Sequence, residues 1–166
     1  MMVEMKVAGL TIDPVTNTPI VILKDQEEKR ILPIWIGLFE ASAIATELEG
    51  INFSRPMTHD LIRDILANLG VEVLKVEVHD LRNNTFFANI HLLREGKTQV
   101  IDARPSDALA LALRAGAPIY VEERVIEKSR SIDVGTKITD LEKEKEDKLK
   151  DFLENLDPDD FGKYKM

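Results

Sequence analysis

The chain has 166 residues and no cysteine, with 30 acidic side chains against 22 Lys plus Arg, for a formal net charge of −8. That length suits one domain with a short appendage, large enough to bury a core without staples. The composition excludes disulfides, zinc–thiolate sites and cysteine nucleophiles, and it argues against a protein that grips nucleic acid mainly through phosphate contacts.

No apolar run approaches the ~20 residues of a membrane helix. The start, MMVEMKVAGLTI, lacks the basic-then-apolar order of a signal peptide. The expected location is the cytoplasm, with no membrane contact.

The opening segment reads as an antiparallel meander. VEMKVAGLTI alternates, which sets Val3, Met5, Val7, Gly9 and Thr11 on one face and Lys6, Ala8, Leu10 and Ile12 on the other. DPVTNTP supplies a turn, IVILK a second strand, DQEEKR a charged loop and ILPIWI a third strand. Trp35 is expected in the core or in a subunit interface. Gly37 then breaks the pattern and the helix LFEASAIATELEG follows. Its Ala41, Ile44, Ala45 and Leu48 share one face, with Glu40 and Glu47 opposite.

A second helix is predicted from Thr58 to about Leu69, with Thr58 as its cap and Gly70 as its stop. Leu61, Ile62, Ile65, Leu66 and Leu69 form its expected buried stripe. Two alternating segments come next, VEVLKVEVHDL and TFFANIHLL. Leu74, Val76 and Val78 should share the core face with Phe86, Ala88, Ile90 and Leu92. Pairing those faces requires an odd loop, and Arg82 to Asn84 fit it. That register sets Lys75 opposite His91 and Glu77 opposite Asn89 on a polar, solvent-facing side. His79 and His91 lie there without evident partners.

KTQVIDA is a further strand. SDALALALRAG is a helix apolar nearly all round, hence buried on more than one side. Gly116 ends it and APIYV is a short last strand. From Thr139 the sequence TDLEKEKEDKLKDFLENL opens with a capping box, Thr139 to Glu142, and reads as a charged amphipathic helix. The expected division is a domain over 1–135 and a charged helical extension over 136–166. The whole reads as an α+β fold, a mixed and largely antiparallel sheet with helices packed on it.

Two turns carry the polar chemistry. Phe53 to Gly70 and Val100 to Val121 each place Arg-Pro, then a hydroxyl, then Asp, before a helix. Taken singly, each is sufficient as a helix start: a Ser or Thr cap is worth roughly 1 kcal/mol, and a first-turn acid roughly 0.3–1 kcal/mol against the dipole. Neither cap needs a guanidinium, however, and Arg is suited to bidentate contact with carboxylate or phosphate. Arg55 and Arg104 are therefore candidate phosphate ligands, unless Arg104 pairs internally with Asp107 or Asp102. Asp60, Asp102 and Asp107 are candidate oxygen ligands for Mg²⁺ or Mn²⁺. Glu40 is a further metal or base candidate, and His59 a candidate general base. The runs Glu40-Ala-Ser-Ala-Ile-Ala and Asp107-Ala-Leu-Ala-Leu-Ala echo each other. Phosphate-binding glycine loops, HExxH and nucleophile elbows are missing from the sequence.

LPIWIGLFEASAIATELEG, RPMTHDLIRDILANLG and IDARPSDALALALRAGAPIYV, in that order, resemble the bifunctional nuclease domain family. The similarity runs roughly from Val3 to Ile126, and FLENLDPDDF resembles the family's bacterial ending. The resemblance implies a compact α+β domain, often self-associating as a homodimer or higher oligomer, active on both DNA and RNA. It supplies no catalytic set to carry over. The expectation is a metal-dependent nuclease with nucleic acid as substrate. The alternative is a non-catalytic oligomeric binding or scaffold module, in which both Arg-Pro turns are structural caps.

Overall fold

The computed structural model describes residues 1–130; the charged helix expected over 136–166 lies outside the described residues. Seven strands and four helices follow in the order β1 (Met2–Ile12), β2 (Pro19–Asp25), β3 (Ile31–Trp35), α1 (Leu38–Leu48), α2 (Thr58–Asn68), β4 (Glu72–Arg82), β5 (Thr85–Arg94), β6 (Lys97–Ala103), α3 (Pro105–Ala115), β7 (Ile119–Glu122) and α4 (Glu123–Ser129). One sheet holds all seven strands in the order β3-β2-β1-β7-β4-β5-β6. Neighbours are antiparallel except β4 and β7, so the sheet is mixed and the fold is α+β. Among the described residues no helix is long and apolar enough to cross a membrane.

β1 does not keep one alternation from end to end. A bulge between Val7 and Gly9 shifts its register against β2, and an inserted residue exchanges the faces beyond it. Val3, Met5 and Val7 therefore share the main core with Leu10 and Ile12, not with Gly9 and Thr11. The β4–β5 hairpin shows the complementary case. Lys75 does face His91, and Glu77 faces Asn89. The loop between the strands, though, is Asn83-Asn84, two residues with φ of 50° and 59°, the left-handed pair of a tight hairpin turn. A bulge between Val78 and Asp80 restores the parity that the shorter loop removes. The polar side of this hairpin is less solvated than expected. Glu77 is buried, its carboxylate held by Lys75 Nζ at 2.7 Å and by His91 Nε2 at 2.9 Å.

α3 is buried on more than one side, as its composition requires: Ala108 through Ala112 are all at most 2% exposed. It packs between α1 and α2 and rests on β4 and β5. Its cap lies two residues before the expected Ser106. Pro105 opens the helix, Arg104 is the cap residue, and no side chain caps it; Ser106 lies inside the first turn. Pro suits that position because its missing N–H is one the helix would leave unbonded. α2 is likewise preceded by Met57 rather than capped by Thr58, and Asp60 Oδ2 accepts the Met57 N–H at 3.0 Å.

The stripe of α2 is not buried. Leu61, Ile62, Ile65 and Leu69 are all exposed, and no residue of α2 is buried among the described residues. The amphipathic spacing is present in the sequence, but the surface that would cover it is not found within residues 1–130. α4 reaches β3, β7 and β4 together, with Arg30 to Glu123 at 3.0 Å on one side and Arg124 to the His79 carbonyl at 3.1 Å on the other. β3 and β4 stand four places apart in the sheet, ~19 Å if it were flat, and a helix of seven residues spans only ~10 Å. The sheet is therefore curled.

Candidate active site

The start of α3 collects side chains from three helices. Arg104, the residue before Pro105, holds Asp107 through Nε–Oδ2 at 2.8 Å and Nη2–Oδ1 at 3.2 Å, a two-point grip. Its remaining nitrogen, Nη1, donates to Glu40 Oε1 of α1 at 2.9 Å. His59 of α2 approaches from the other side, with Nε2 at 2.9 Å from Asp107 Oδ1. The chain thus joins Glu40, Arg104, Asp107 and His59 in a continuous line. The echoed segments explain part of this. α1 and α3 pack against each other with Ala41, Ala45, Ala108 and Ala112 buried, and small residues let two helices approach closely. Glu40 and Asp107, the two acids at matching places in the echo, converge on one guanidinium.

Gly37 contributes by lacking a side chain. A Cβ at Gly37 would collide with the Glu40 carboxylate Oε2, so Glu40 folds back over a bare backbone.

A second ion pair lies deeper. Arg114, only 3% exposed, donates Nε to Asp60 Oδ1 at 2.8 Å, Nη1 to the Ala110 carbonyl at 2.9 Å and Nη2 to the Ala43 carbonyl at 2.9 Å. One buried guanidinium therefore ties α1, α2 and α3 together. Neither Arg-Pro turn points to Arg114 in the sequence. The available signal was a lone cation inside the run ALALALRAG, where burial demands a partner.

The Asp107 carboxyl is pulled both ways. Burial pushes it up, but the hydrogen bonds and charges of Arg104 and His59 prevail and hold it below the usual carboxylate range. Arg104 is raised above its ordinary value, first by its hydrogen bond to Asp107 and then by that to Glu40. Two adjoining cavities open here. One, of ≈ 400 Å³, is lined by Phe39, Glu40, Met57, His59, Arg104 and Asp107 among others. The other, of ≈ 360 Å³, is lined by Asn52, Ser54, Arg55, Asp60, Arg63 and Asp64 among others.

The candidates do not all meet. Glu40, His59, Arg104 and Asp107 come together, Asp60 stands behind them on Arg114, and Arg55 lies exposed in the second cavity. Asp102 is elsewhere. It pairs with Asn89 on the edge strand β6, one step from the Ala88–Ala103 pair. Ala88 and Ala103 belong to the core, so Asp102 points to the opposite face of the sheet. The three aspartates expected to share a divalent cation therefore do not converge. Asp60 and Asp107 use both carboxylate oxygens on protein donors, and no group of three His, Asp or Glu suited to a metal occurs among the described residues. The residues present do not fit a resident Mg²⁺ or Mn²⁺.

The sequence pattern of the bifunctional nuclease domain matches residues 21–133, which takes in most of β2, every element from β3 through α4 and the whole of this site. The chain belongs to the bifunctional nuclease domain family. An uncharacterized protein of Mycobacterium tuberculosis (strain H37Rv) is 42% identical over 164 residues, covering 95% of this chain and 97% of its own length. Bifunctional nuclease 2 of Arabidopsis thaliana is 27% identical over 110 residues, covering 64% of this chain and 33% of the plant protein. Bifunctional nuclease 1 of Oryza sativa subsp. indica is 23% identical over 116 residues, covering 68% and 35%. Within this bifunctional nuclease domain, the matched span includes both Arg-Pro turns and the Arg114 lock.

Proposed function

We propose that the domain is a nuclease that hydrolyses phosphodiester bonds in nucleic acid, DNA and RNA alike, at the His59–Asp107 pair. The observation that carries this reading is the 2.9 Å contact between His59 Nε2 and Asp107 Oδ1, set beside Arg104 in the ≈ 400 Å³ cavity. Family membership supports the reaction class. With Asp107 held ionised, Nε2 keeps its proton and donates it to Oδ1, which leaves Nδ1 as the acceptor. Nδ1 then takes a proton from a water molecule as its oxygen attacks phosphorus. The bond from phosphorus to the departing sugar oxygen breaks, and that oxygen receives a proton from the imidazolium. Arg104 opposes the negative charge that builds on the phosphoryl oxygens. No step in this scheme runs through a divalent cation.

The ion pairs favour one other reading, a non-catalytic binding or scaffold module in which Arg104 and Arg114 lock three helices. The two part in one experiment: cleavage of labelled RNA and DNA by wild type, His59→Ala and Asp107→Asn, with and without EDTA, alongside melting curves. Cutting that survives EDTA and disappears in folded variants supports the His59–Asp107 nuclease. Cutting abolished by EDTA keeps a nuclease but overturns the metal-free scheme. Equal cutting by all three proteins places the cleavage at another site or in a contaminant, and none by any favours the scaffold.

We infer also that copies of the chain associate. The exposed Leu61, Ile65 and Leu69 of α2, together with Val100 and Ile101 on the edge strand β6, leave apolar surface of the kind that oligomer contacts cover.

A further inference from the structure

We propose that the two cavities form one groove for single-stranded nucleic acid, in which the Phe39 ring is a platform for an unpaired base. This rests on the nuclease reading above and adds the substrate class. Phe39 stands one residue before Glu40, in the first turn of α1, and lines the same cavity as His59 and Arg104. It is 83% exposed and makes no cation–π contact among the described residues. Large aromatic rings left in water singly need no explanation; one at the mouth of the cavity that holds the charged line does.

The second cavity continues the first. Both are lined by Thr46, Phe53 and Arg114, and the second adds Asn52, Ser54 and the exposed Arg55, donors suited to a sugar–phosphate backbone. Arg55 has no hydrogen bond or ion pair among the described residues.

Charge decides between single and double strands. The protein carries a net −8, and in the first cavity Glu40 and Asp107 offset Arg104 and Arg114. Phosphate contacts in such a cleft are few, so affinity has to come from elsewhere, and base–aromatic stacking is a sequence-tolerant source. A duplex keeps its bases stacked inside and cannot offer one to Phe39. An unpaired strand can lay a base on the ring while its phosphate lies toward Arg104 or Arg55.

The test is fluorescence anisotropy with short labelled DNA and RNA, single-stranded and duplex, at two salt concentrations. The proteins are wild type, Phe39→Ala, Phe39→Trp and the control Val15→Ala, whose side chain is 89% exposed and lines neither cavity. The expected result is single strands bound at least tenfold tighter than duplex, with shallow salt dependence. Phe39→Ala should lose about tenfold in single-strand affinity, while Phe39→Trp and Val15→Ala keep it. Duplex bound as tightly as single strands, or Phe39→Ala binding like wild type, overturns this inference and leaves the nuclease reading standing. So does a change in oligomeric state of Phe39→Ala on a sizing column, since the ring would then be a subunit contact. Wild type that neither binds nor cleaves any of the probes overturns both.

Discussion

His59 Nε2 and Asp107 Oδ1 lie 2.9 Å apart although 48 residues separate them in the chain. The contact joins the first turn of α2 to the first turn of α3, and in the proposed reaction it leaves Nδ1 as the nitrogen that acts. Asp107→Asn keeps the shape but presents an amide where the ring expects a carboxylate. The expected outcome is a loss of at least a hundredfold in kcat with KM little changed, because orientation and imidazolium stabilisation are lost together. Steady-state cleavage by the folded variant checks it; a variant with more than a tenth of wild-type kcat removes Asp107 from the mechanism.

The same contact predicts a stability difference with pH. Asp107 titrates below its ordinary value in the folded protein, so the folded state favours the ionised form. Its contribution is complete above the unfolded carboxyl pKa of about 3.9 and fades as pH falls through the lower, folded value. At pH 6 Asp107→Asn should therefore melt below wild type, and the gap should close as pH is lowered below about 4. Melting curves from pH 7 to pH 2 measure this. A gap that widens in acid reverses the sign and refutes the assignment.

Arg104 is held by two acids, and any phosphate must compete with them. Removing one competitor should strengthen anion binding. Glu40→Gln is expected to lower KM or Kd for oligonucleotides a few-fold, the scale of one partly exposed ion pair. Gly37→Ala should do the same by a different route, because its Cβ pushes the Glu40 carboxylate away from Arg104. Its backbone, at φ −73°, accepts alanine, so the fold should be unaffected. If Glu40→Gln abolishes cleavage instead, Glu40 is a participant in the chemistry and not a competitor.

Arg114 and Arg63 make opposite predictions about stability. The Arg114 side chain is 3% exposed and bonds to three helices. Removing it leaves Asp60 Oδ1 without its donor, and breaking a buried pair costs about 3–5 kcal/mol. Arg63 pairs with Asp64 at 3.1 Å on the surface, where such pairs contribute about 0–1 kcal/mol. Urea unfolding of Arg114→Ala and Arg63→Ala separates them. Comparable losses from the two would mean that Arg114 is not the lock described.

How far the sequence discloses this arrangement depends on the range of the interaction. The α1, α3 and hairpin alternations are local, and which residues of the two hairpin strands share a face follows from that alternation. The faces of β1 are not legible in this way, because the bulge between Val7 and Gly9 is decided by its pairing with β2. The Arg-Pro turns advertise polar chemistry, and Arg104, Asp107, His59 and Glu40 do meet. Asp102 does not join them: one residue of strand alternation sends it to the other face, and nothing in IDARPSD says which residue of the run leaves the sheet. Arg114 escapes notice because a cation in the last turn of a helix already has an ordinary explanation in the dipole. Its burial by α1 and α2 is a tertiary fact.

The α2 stripe is where periodicity predicts burial and the subunit alone does not supply it. Leu61, Ile65 and Leu69 recur every fourth residue and are 51%, 48% and 55% exposed. A single core substitution shows the contrast. Leu109→Ala, at 0% exposure, should cost about 2–5 kcal/mol, whereas Ile65→Ala in an isolated subunit should cost less than about 1 kcal/mol. If copies pair through α2, the stripe is buried in the assembly and its substitutions act through association. Leu61→Glu with Ile65→Glu should then lower the mass measured by light scattering to that of one chain, and should make melting independent of protein concentration where wild type depends on it. The helix itself should persist, since Glu is as good a helix former as the residues it replaces. A double variant with the wild-type mass assigns the stripe no part in association and shifts attention to the β6 edge, where Val100 and Ile101 are the residues to charge next.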